Sequence, residues 1–287
     1  MILVTGASGA LGRLITERLA AHPDVKVAAG TRDPQAWNGP DVEVRAVDFD
    51  APETLPAGFA GVETLVFISA GFAEDDVVYA RHRAVVDAAA AAGVRNVVYT
   101  SLTGSADQLS IAVAHRYTER ILAEAPFEAT VLRNALYAEL VAGILAAPAL
   151  ATGVLPGPIR DGRVPSVARP DLAEGAAKVA LEIEQGSAVH NGRTYELEGV
   201  EDLGLDDLVE LLTAAGRPGV QDGGSLGALR EALAGDPGFQ TGHTISIFGV
   251  VSGGLIRRGE SDLPALLGRT PTPVRPYVGQ VLTLLAG

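Results

Sequence analysis

A short apolar run, Ile2-Leu3-Val4-Thr5, breaks into glycines at positions 6, 9 and 12, and a helical pattern follows from Leu11 to Ala21. Few arrangements satisfy that order. A strand enters a turn that glycine makes without steric cost. The turn opens onto a helix whose first amides have no partner inside the helix. Those amides and the positive end of the helix dipole form an anion site. In a strand–turn–helix setting the spacing is the fingerprint of a dinucleotide phosphate loop. Gly6 allows the tight turn, Gly9 lets backbone approach the pyrophosphate, and Gly12 is expected to let the helix pack closely on the sheet. The expected loop contacts are Gly6, Ala7, Ser8, Gly9, Ala10 and Leu11, with the Ser8 hydroxyl as an extra donor.

The chain then alternates strand and helix patterns. Strands are expected at Val25–Gly30, Val42–Val47, Thr64–Ser69, Asn96–Ser101 and Glu128–Arg133, with helices over Asp75–Gly93 and Ile111–Ala125. Thr64–Ser69 is a continuous apolar run, as suits a strand buried on both faces. The alanine run Ala88–Ala92 lies on a helical pattern and marks close helix packing. This succession predicts an α/β protein, a doubly wound parallel sheet with right-handed crossovers, in other words a Rossmann-type fold. From about residue 150 the pattern changes. Short strands are expected at Gly153–Pro158, Val164–Val167 and Thr194–Glu198. Helices are expected at Pro170–Glu184, Leu205–Ala215, Ser225–Ala234, Pro264–Leu267 and Pro273–Leu285. The division is therefore 1–150 as a nucleotide-binding domain and 151–287 as a smaller α/β lobe, with the return of some later segments to the main sheet left open.

The end of the second strand decides between the two nicotinamide dinucleotides. A carboxylate there binds the ribose 2′-hydroxyl and repels a 2′-phosphate. This chain has Gly30-Thr31-Arg32. The Arg32 guanidinium is a planar fork suited to phosphate, and Thr31 offers another donor. Asp33 complicates this choice, but it stands one residue further along, where a side chain is able to point away. The expected cofactor is NADP(H). Asp48 and Phe49 end the third strand, where adenine lies in this architecture. Ile68-Ser69-Ala70 and Thr100-Ser101-Leu102 lie at strand C-termini, the edge at which open α/β sheets bind ligands.

The acid–base machinery of ordinary short-chain dehydrogenases is a Tyr-x-x-x-Lys pair, the lysine lowering the tyrosine pKa. Four residues after Tyr79, Tyr99, Tyr117, Tyr137, Tyr195 and Tyr277 stand Arg83, Thr103, Ile121, Val141, Gly199 and Val281. The only lysines are Lys26 and Lys178. Chemistry that needs hydride delivery and little protein acid catalysis fits this absence best, and a quinone is such an acceptor. Two residues remain as catalytic candidates. His115 begins the helix where the missing tyrosine would lie and is able to hydrogen-bond a carbonyl. Tyr137 follows a strand end. His22, His82, His190 and His243 lack metal-ligand spacing and take no role; no metal is expected.

Composition narrows the setting. The chain has no cysteine, which removes disulfides, thiolate nucleophiles and cysteine-ligated clusters. The net charge of −13 argues against nucleic acid or anionic membrane as partner. No apolar run is clean and long enough to span a bilayer; the nearest, Thr244–Ile256, is short and rich in Gly and Ser. A non-secreted, cytoplasmic protein is expected, acting on a small molecule as a monomer or homodimer.

Taken in order, these residues resemble the NmrA-like branch of the atypical short-chain dehydrogenases, and within it the bacterial type 2 NADPH:quinone oxidoreductases. The resemblance runs from Thr5–Gly12 through Tyr99-Thr100-Ser101-Leu102, His115 with Glu119, and Leu132-Arg133-Asn134 with Tyr137. It continues through Asp161-Gly162-Arg163, Ala168-Arg169-Pro170-Asp171 and Tyr195-Glu196-Leu197 to Leu266-Leu267-Gly268-Arg269. It implies an NADP-binding domain, a small C-terminal lobe with substrate in the cleft between them, and a segment Asn134–Glu139 running past the nicotinamide. Asn134, Ala135 and Tyr137 would then be cofactor contacts. One residue departs: Leu136 stands where the family enzymes carry a bulky aromatic. The activity implied is NADPH-dependent quinone reduction. Two alternatives stay open, a non-catalytic NADP(H) sensor and a biosynthetic reductase or epimerase using other acids.

Overall fold

The computed structural model describes residues 1–70 and 73–286. Strand β1 (Ile2–Val4) passes through the glycine loop into α1 (Ala10–Ala20), followed by β2 (Val27–Thr31), β3 (Glu43–Ala46), α2 (Leu55–Phe59) and β4 (Thr64–Ile68). Then come α3 (Asp75–Ala91), β5 (Asn96–Leu102), α4 (Ala112–Ala123) and β6 (Glu128–Asn134). After β7 (Leu136–Tyr137) and α5 (Ala138–Leu140), a π-helical stretch (Val141–Ala146) leads to α6 (Pro148–Thr152), β8 (Arg163–Val167) and α7 (Arg169–Glu184). The chain ends with β9 (Thr194–Leu197), β10 (Asp202–Gly204), α8 (Leu205–Ala214), α9 (Leu226–Ala232), α10 (Gly238–Ser252), α11 (Leu263–Leu267) and α12 (Val274–Ala286).

These elements gather into two compact units that interleave along the chain. One takes Met1–Ser101, Val113–Arg133 and Pro170–Tyr195; the other takes Leu102–Ala112, Asn134–Arg169 and the chain from Glu196 onward.

The first unit is built on a seven-stranded sheet in the order β3-β2-β1-β4-β5-β6-β9. The pairs β1–β2, β2–β3, β1–β4 and β4–β5 are parallel, with Val4 opposite both Ala29 and Val66, and Ile68 opposite Thr100. The order reverses between β1 and β4. That switch point at the carboxyl ends of the strands is where a doubly wound sheet opens a crevice. Ile2, Leu3 and Val4 are fully buried, which is why β1 is apolar throughout rather than alternating. Leu11, Ile15 and Leu19, spaced four apart, give α1 its buried stripe. Phe59, Leu65, Phe67, Tyr99 and Ile121 belong to one core cluster that also takes Ala89 from the alanine run. The strand expected near Thr194 is β9, at the sheet edge.

The second unit carries a three-stranded sheet, β10-β8-β7, and a core that includes Leu136, Leu145, Ile159, Leu208, Phe248 and Val278. Two expectations change here. Gly153–Pro158 is not a strand: Gly153 takes φ 78° as the cap of α6, and a single bridge joins Val154 to Gln221. The second is α10, which the sequence pattern did not suggest because Gly238, Gly242 and Gly249 dilute it. It forms because Ile247, Phe248, Val250 and Val251 bury, and tertiary packing overrides weak propensity. Among the described residues no helix is long and apolar enough to cross a membrane.

Candidate functional site

The glycine loop is tied down on both sides. The Ala7 N–H donates to the Gly30 carbonyl of β2 (3.0 Å), and the Gly9 N–H donates to the Gly6 carbonyl (2.9 Å). Thr5 Oγ1 accepts from the Ile68 N–H (3.0 Å) and donates to the Val66 carbonyl (3.3 Å), fastening the loop's entry to β4. Gly6 sits at φ 58°, where a side chain would be strained. Gly12 has a different reason from the one its spacing suggests. A Cβ there would lie 2.2 Å from the Gly6 carbonyl oxygen and 2.9 Å from the Ala7 Cα. The close approach is therefore of the helix to its own loop. No side chain caps the N-terminus of α1, so its first-turn amides retain their capacity for an anion.

Beside this loop lies a cleft of about 520 Å3 at the carboxyl edge of the sheet. Gly6, Ser8 and Gly9 line it from the loop, Thr31 and Arg32 from the end of β2 and just beyond, Val47 to Asp50 from the segment after β3, Ile68 to Ala70 from the end of β4 and just beyond, and Arg81 from α3. The lining contains Gly6, Ser8, Gly9, Arg32, Asp48, Phe49, Ile68, Ser69 and Ala70 from the residues singled out by sequence. It adds Thr31, Val47, Asp50 and Arg81.

Side-chain directions give the cleft its character. The Asp33 Oδ1 accepts from the amides of Gln35 (3.1 Å) and Ala36 (3.3 Å), capping a short 3-10 turn. Its carboxylate is spent there, and Asp33 is not among the lining residues. Arg32 is, and it is exposed. Thr31 Oγ1 donates to Ser8 Oγ (3.2 Å), linking β2 to the loop. Arg81 grips both oxygens of Asp50 (2.7 and 2.8 Å). That bond, against a smaller opposing effect of burial, holds the Asp50 carboxyl below its usual range. Asp48 accepts the Asp50 amide (3.0 Å), and Phe49 stands edge-on to Phe67 at 5.8 Å.

The other expected contacts lie elsewhere. Ala7 and Leu11 are buried, and neither they nor Ala10 line the cleft. Thr100 Oγ1 accepts the Ser69 N–H (3.2 Å) and so supports the lining from behind. Ser101 Oγ donates to Glu119 Oε1 (2.5 Å). Arg116 (2.5 Å) and Arg133 (3.0 and 2.7 Å) also converge on that carboxylate. Burial raises the Glu119 pKa, but the bonds from Arg133 and Ser101 outweigh it and the net shift is downward. Leu102, Asn134, Ala135 and Tyr137 belong to the second unit.

His115 lies on α4, its Nδ1 3.0 Å from the Tyr99 hydroxyl. Tyr99 is fully buried, and burial raises its pKa, so the phenol keeps its proton. Burial first, then the Arg116 charge, lowers the His115 pKa to about 4. His115 is thus neutral at physiological pH, a hydrogen-bonding group rather than a proton reservoir. In the second unit, the Tyr137 ring lies under the Arg169 guanidinium (4.9 Å). Burial raises the Tyr137 pKa against a hydrogen bond from Asn134. Glu139 accepts from the Tyr277 hydroxyl (2.7 Å) and lies 3.8 Å from Arg169. Leu136, the departure from the family pattern, is buried in that unit's core. Among the described residues no cluster of His, Cys, Asp or Glu is suited to a metal ion.

Two residues of α3 gain a place here: Arg81, which the sequence does not single out, lines the cleft, and His82, to which the sequence gives no role, stands behind its wall. His82 is fully buried and accepts the Ala70 N–H. No local pattern marks either residue, because their targets lie on another element.

Comparison with known proteins places this geometry. Residues 6–181 match the model of an NAD(P)H-binding family. Quinone oxidoreductase 2 of Escherichia coli is 37% identical over 219 residues, 74% of this chain and 73% of the relative. An NmrA-like family domain-containing oxidoreductase of Aspergillus flavus is 30% identical, covering 98% of this chain and 94% of the relative. The crystal structure of an E. coli NADPH-dependent quinone oxidoreductase complexed with NADPH aligns with a TM-score of 0.84 at 31% identity, over 98% of this chain and 99% of that one.

Proposed function

The chain belongs to the NAD(P)H-binding, NmrA-like family, and from that premise we propose that it is an NADPH-dependent oxidoreductase that delivers hydride to a quinone or a similarly electrophilic carbonyl. One observation carries the cofactor choice. Arg32 lines the cleft at the end of β2, while the neighbouring Asp33 carboxylate is consumed by the Gln35 and Ala36 amides. A 2′-phosphate would meet a guanidinium there; the strand-end carboxylate of Asp33 is turned to those amides, and the Asp50 carboxylate, which feels the Arg32 charge, is gripped by Arg81. The cleft suits the rest of the dinucleotide. It has an uncapped helix N-terminus for the pyrophosphate, Asp48 and Phe49 for the adenine, and Ile68–Ala70 along the wall toward β4. Every lining residue falls within 1–150, which supports that stretch as the cofactor-binding part; the reading assigns substrate to 151–287, with Pro170–Tyr195 returned to the sheet-bearing unit.

When bound, NADPH supplies the hydride. The chain contributes little proton chemistry. It has no Tyr-x-x-x-Lys pair, and His115 and Tyr137 both hold their neutral forms at physiological pH. In this reading His115 offers a hydrogen bond to a substrate carbonyl and water protonates the reduced oxygens; Tyr137, its ring held by Arg169, is the second catalytic candidate. The cited relatives are a quinone oxidoreductase and an NmrA-like oxidoreductase, which supports a quinone as the acceptor. The reading includes a cytoplasmic enzyme, monomeric or homodimeric. Purified protein should oxidise NADPH in the presence of a panel of benzoquinones and naphthoquinones. Tight NADP(H) binding with no turnover on any quinone or carbonyl would replace the enzyme by a redox sensor.

A further inference from the structure

Three consecutive amides at the end of β4 donate to side chains, each on a different element. The Ile68 N–H goes to Thr5 Oγ1 (3.0 Å), the Ser69 N–H to Thr100 Oγ1 (3.2 Å) and the Ala70 N–H to His82 Nε2 (3.1 Å). Arg81 Nη1 reaches the Ala70 carbonyl at 3.5 Å. These residues form the cleft wall that faces the glycine loop: a Cβ on Gly6 would lie 3.8 Å from the Ile68 Cβ. The first two anchors are hydroxyls on neighbouring strands. The third is a fully buried histidine.

The hydrogen bonds around His82 fix its tautomer. Thr118 Oγ1 donates to the Ala114 carbonyl (2.8 Å), so its proton is engaged. His82 Nδ1, 2.6 Å from that hydroxyl, is then the donor. Nε2 is left without a proton and accepts from Ala70. The ring is wedged edge-on against Phe67 at 5.0 Å and Tyr99 at 6.1 Å. Its titratable and charged neighbours are Tyr99, His115 and Arg81. Burial, reinforced by His115 and Arg81, lowers its pKa to about 3, so the acceptor form persists at neutral pH. The position needs a rigid group with a donor at one end and an acceptor at the other. A carboxylate would bring a buried charge.

We propose that His82 is a positioning residue of the cofactor cleft: through the relay Thr118–His82–Ala70 it holds the Ser69–Ala70 wall at the spacing that the dinucleotide requires. The proposal rests on the reading of this cleft as the NADPH site. It differs from a purely structural role for a buried histidine in what it says should change. Cofactor affinity should move more than fold stability.

The test compares wild type, His82→Phe, His82→Gln and Thr118→Val by urea denaturation, NADPH fluorescence titration, steady-state kinetics and hydrogen exchange at the Ala70 amide. Phe keeps the ring and removes the acceptor; Gln places Oε1 where Nε2 was. Leaving the Ala70 donor unsatisfied should raise the NADPH Kd about tenfold in His82→Phe. The KM for NADPH should follow, kcat should stay within about twofold, and Ala70 should lose exchange protection. His82→Gln should bring Kd back to within about threefold of wild type. If folded His82→Phe binds NADPH as wild type does, the proposal falls while the cofactor reading stands. If wild type itself fails to bind NADPH, both fall. If His82→Phe does not fold, Thr118→Val decides: a Kd raised about threefold supports the relay, and an unchanged Kd overturns it.

Discussion

Replacing Gly12 by alanine tests whether the phosphate loop is built as described. In an unobstructed helix the change is favourable by about 1 kcal/mol, since alanine loses less backbone entropy than glycine. Here the added Cβ would lie 2.2 Å from the Gly6 carbonyl oxygen and 2.8 Å from its carbon, whereas ordinary contact begins at 3.4 Å. Both atoms are backbone in a loop already fastened to β2 and β4, so neither is free to rotate away. Relief requires α1 to shift by about 1 Å, the scale at which overpacking costs roughly 1–3 kcal/mol. Set against the helical gain, the net loss should be about 1–2 kcal/mol. The same shift moves the first-turn amides, and a displacement of about 1 Å at a binding centre costs up to about a hundredfold in function. Urea denaturation and NADPH titration measure the two effects. Gly242→Ala on α10 is the control. Nothing lies within 4 Å of its Cβ position, so it should be neutral or more stable, by up to about 1 kcal/mol, with unchanged NADPH affinity. A Gly12→Ala protein as stable as wild type and binding NADPH equally well would refute the close-approach argument.

Three further outcomes follow from the same geometry. Arg32→Ala should weaken NADPH by about 1.5–3 kcal/mol and NADH far less; equal losses would remove Arg32 from a 2′-phosphate site. His82 is held at a pKa of about 3 against the 6.5 of an unperturbed histidine, so below pH 6.5 the unfolded chain takes up a proton that the folded chain refuses. Stability should therefore fall as pH drops from 6.5 toward 3, by roughly 4–5 kcal/mol over the full window from this group, and His82→Gln should flatten that slope in urea titrations; an unaltered slope would contradict a neutral buried imidazole. Glu119→Ala removes the carboxylate on which Ser101, Arg116 and Arg133 converge and should cost about 2–4 kcal/mol of unfolding free energy, with Glu119→Gln losing less; a change under about 0.5 kcal/mol would mean that the cluster is only a solvated ion pair.

How far each feature was legible in the sequence depends on how local its cause is. The glycine loop, the alternation of strands and helices and the absent tyrosine–lysine pair are short-range patterns, and each can be read without knowing what lies across the sheet. So could Arg32, whose neighbourhood is its own strand end. The helix α10 was hidden because its glycines and serines lower local propensity, and only burial of Ile247, Phe248, Val250 and Val251 restores it. Gly12 was legible as essential, but the partner it must approach, the Gly6 carbonyl, emerged only with the folded turn. His82 shows the limit most clearly. Its helix gives no sign of a role. Folding places Ala70 at one ring nitrogen and Thr118 at the other, and burial then holds the ring neutral. A dinucleotide-binding α/β chain without the usual acid–base pair can be read from neighbouring residues, because those signals lie close together along the chain. That Asp33 turns to its own 3-10 turn, that Arg81 and Asp50 join the cleft and that α3 braces its wall emerges only on folding, because each depends on where particular groups meet in space.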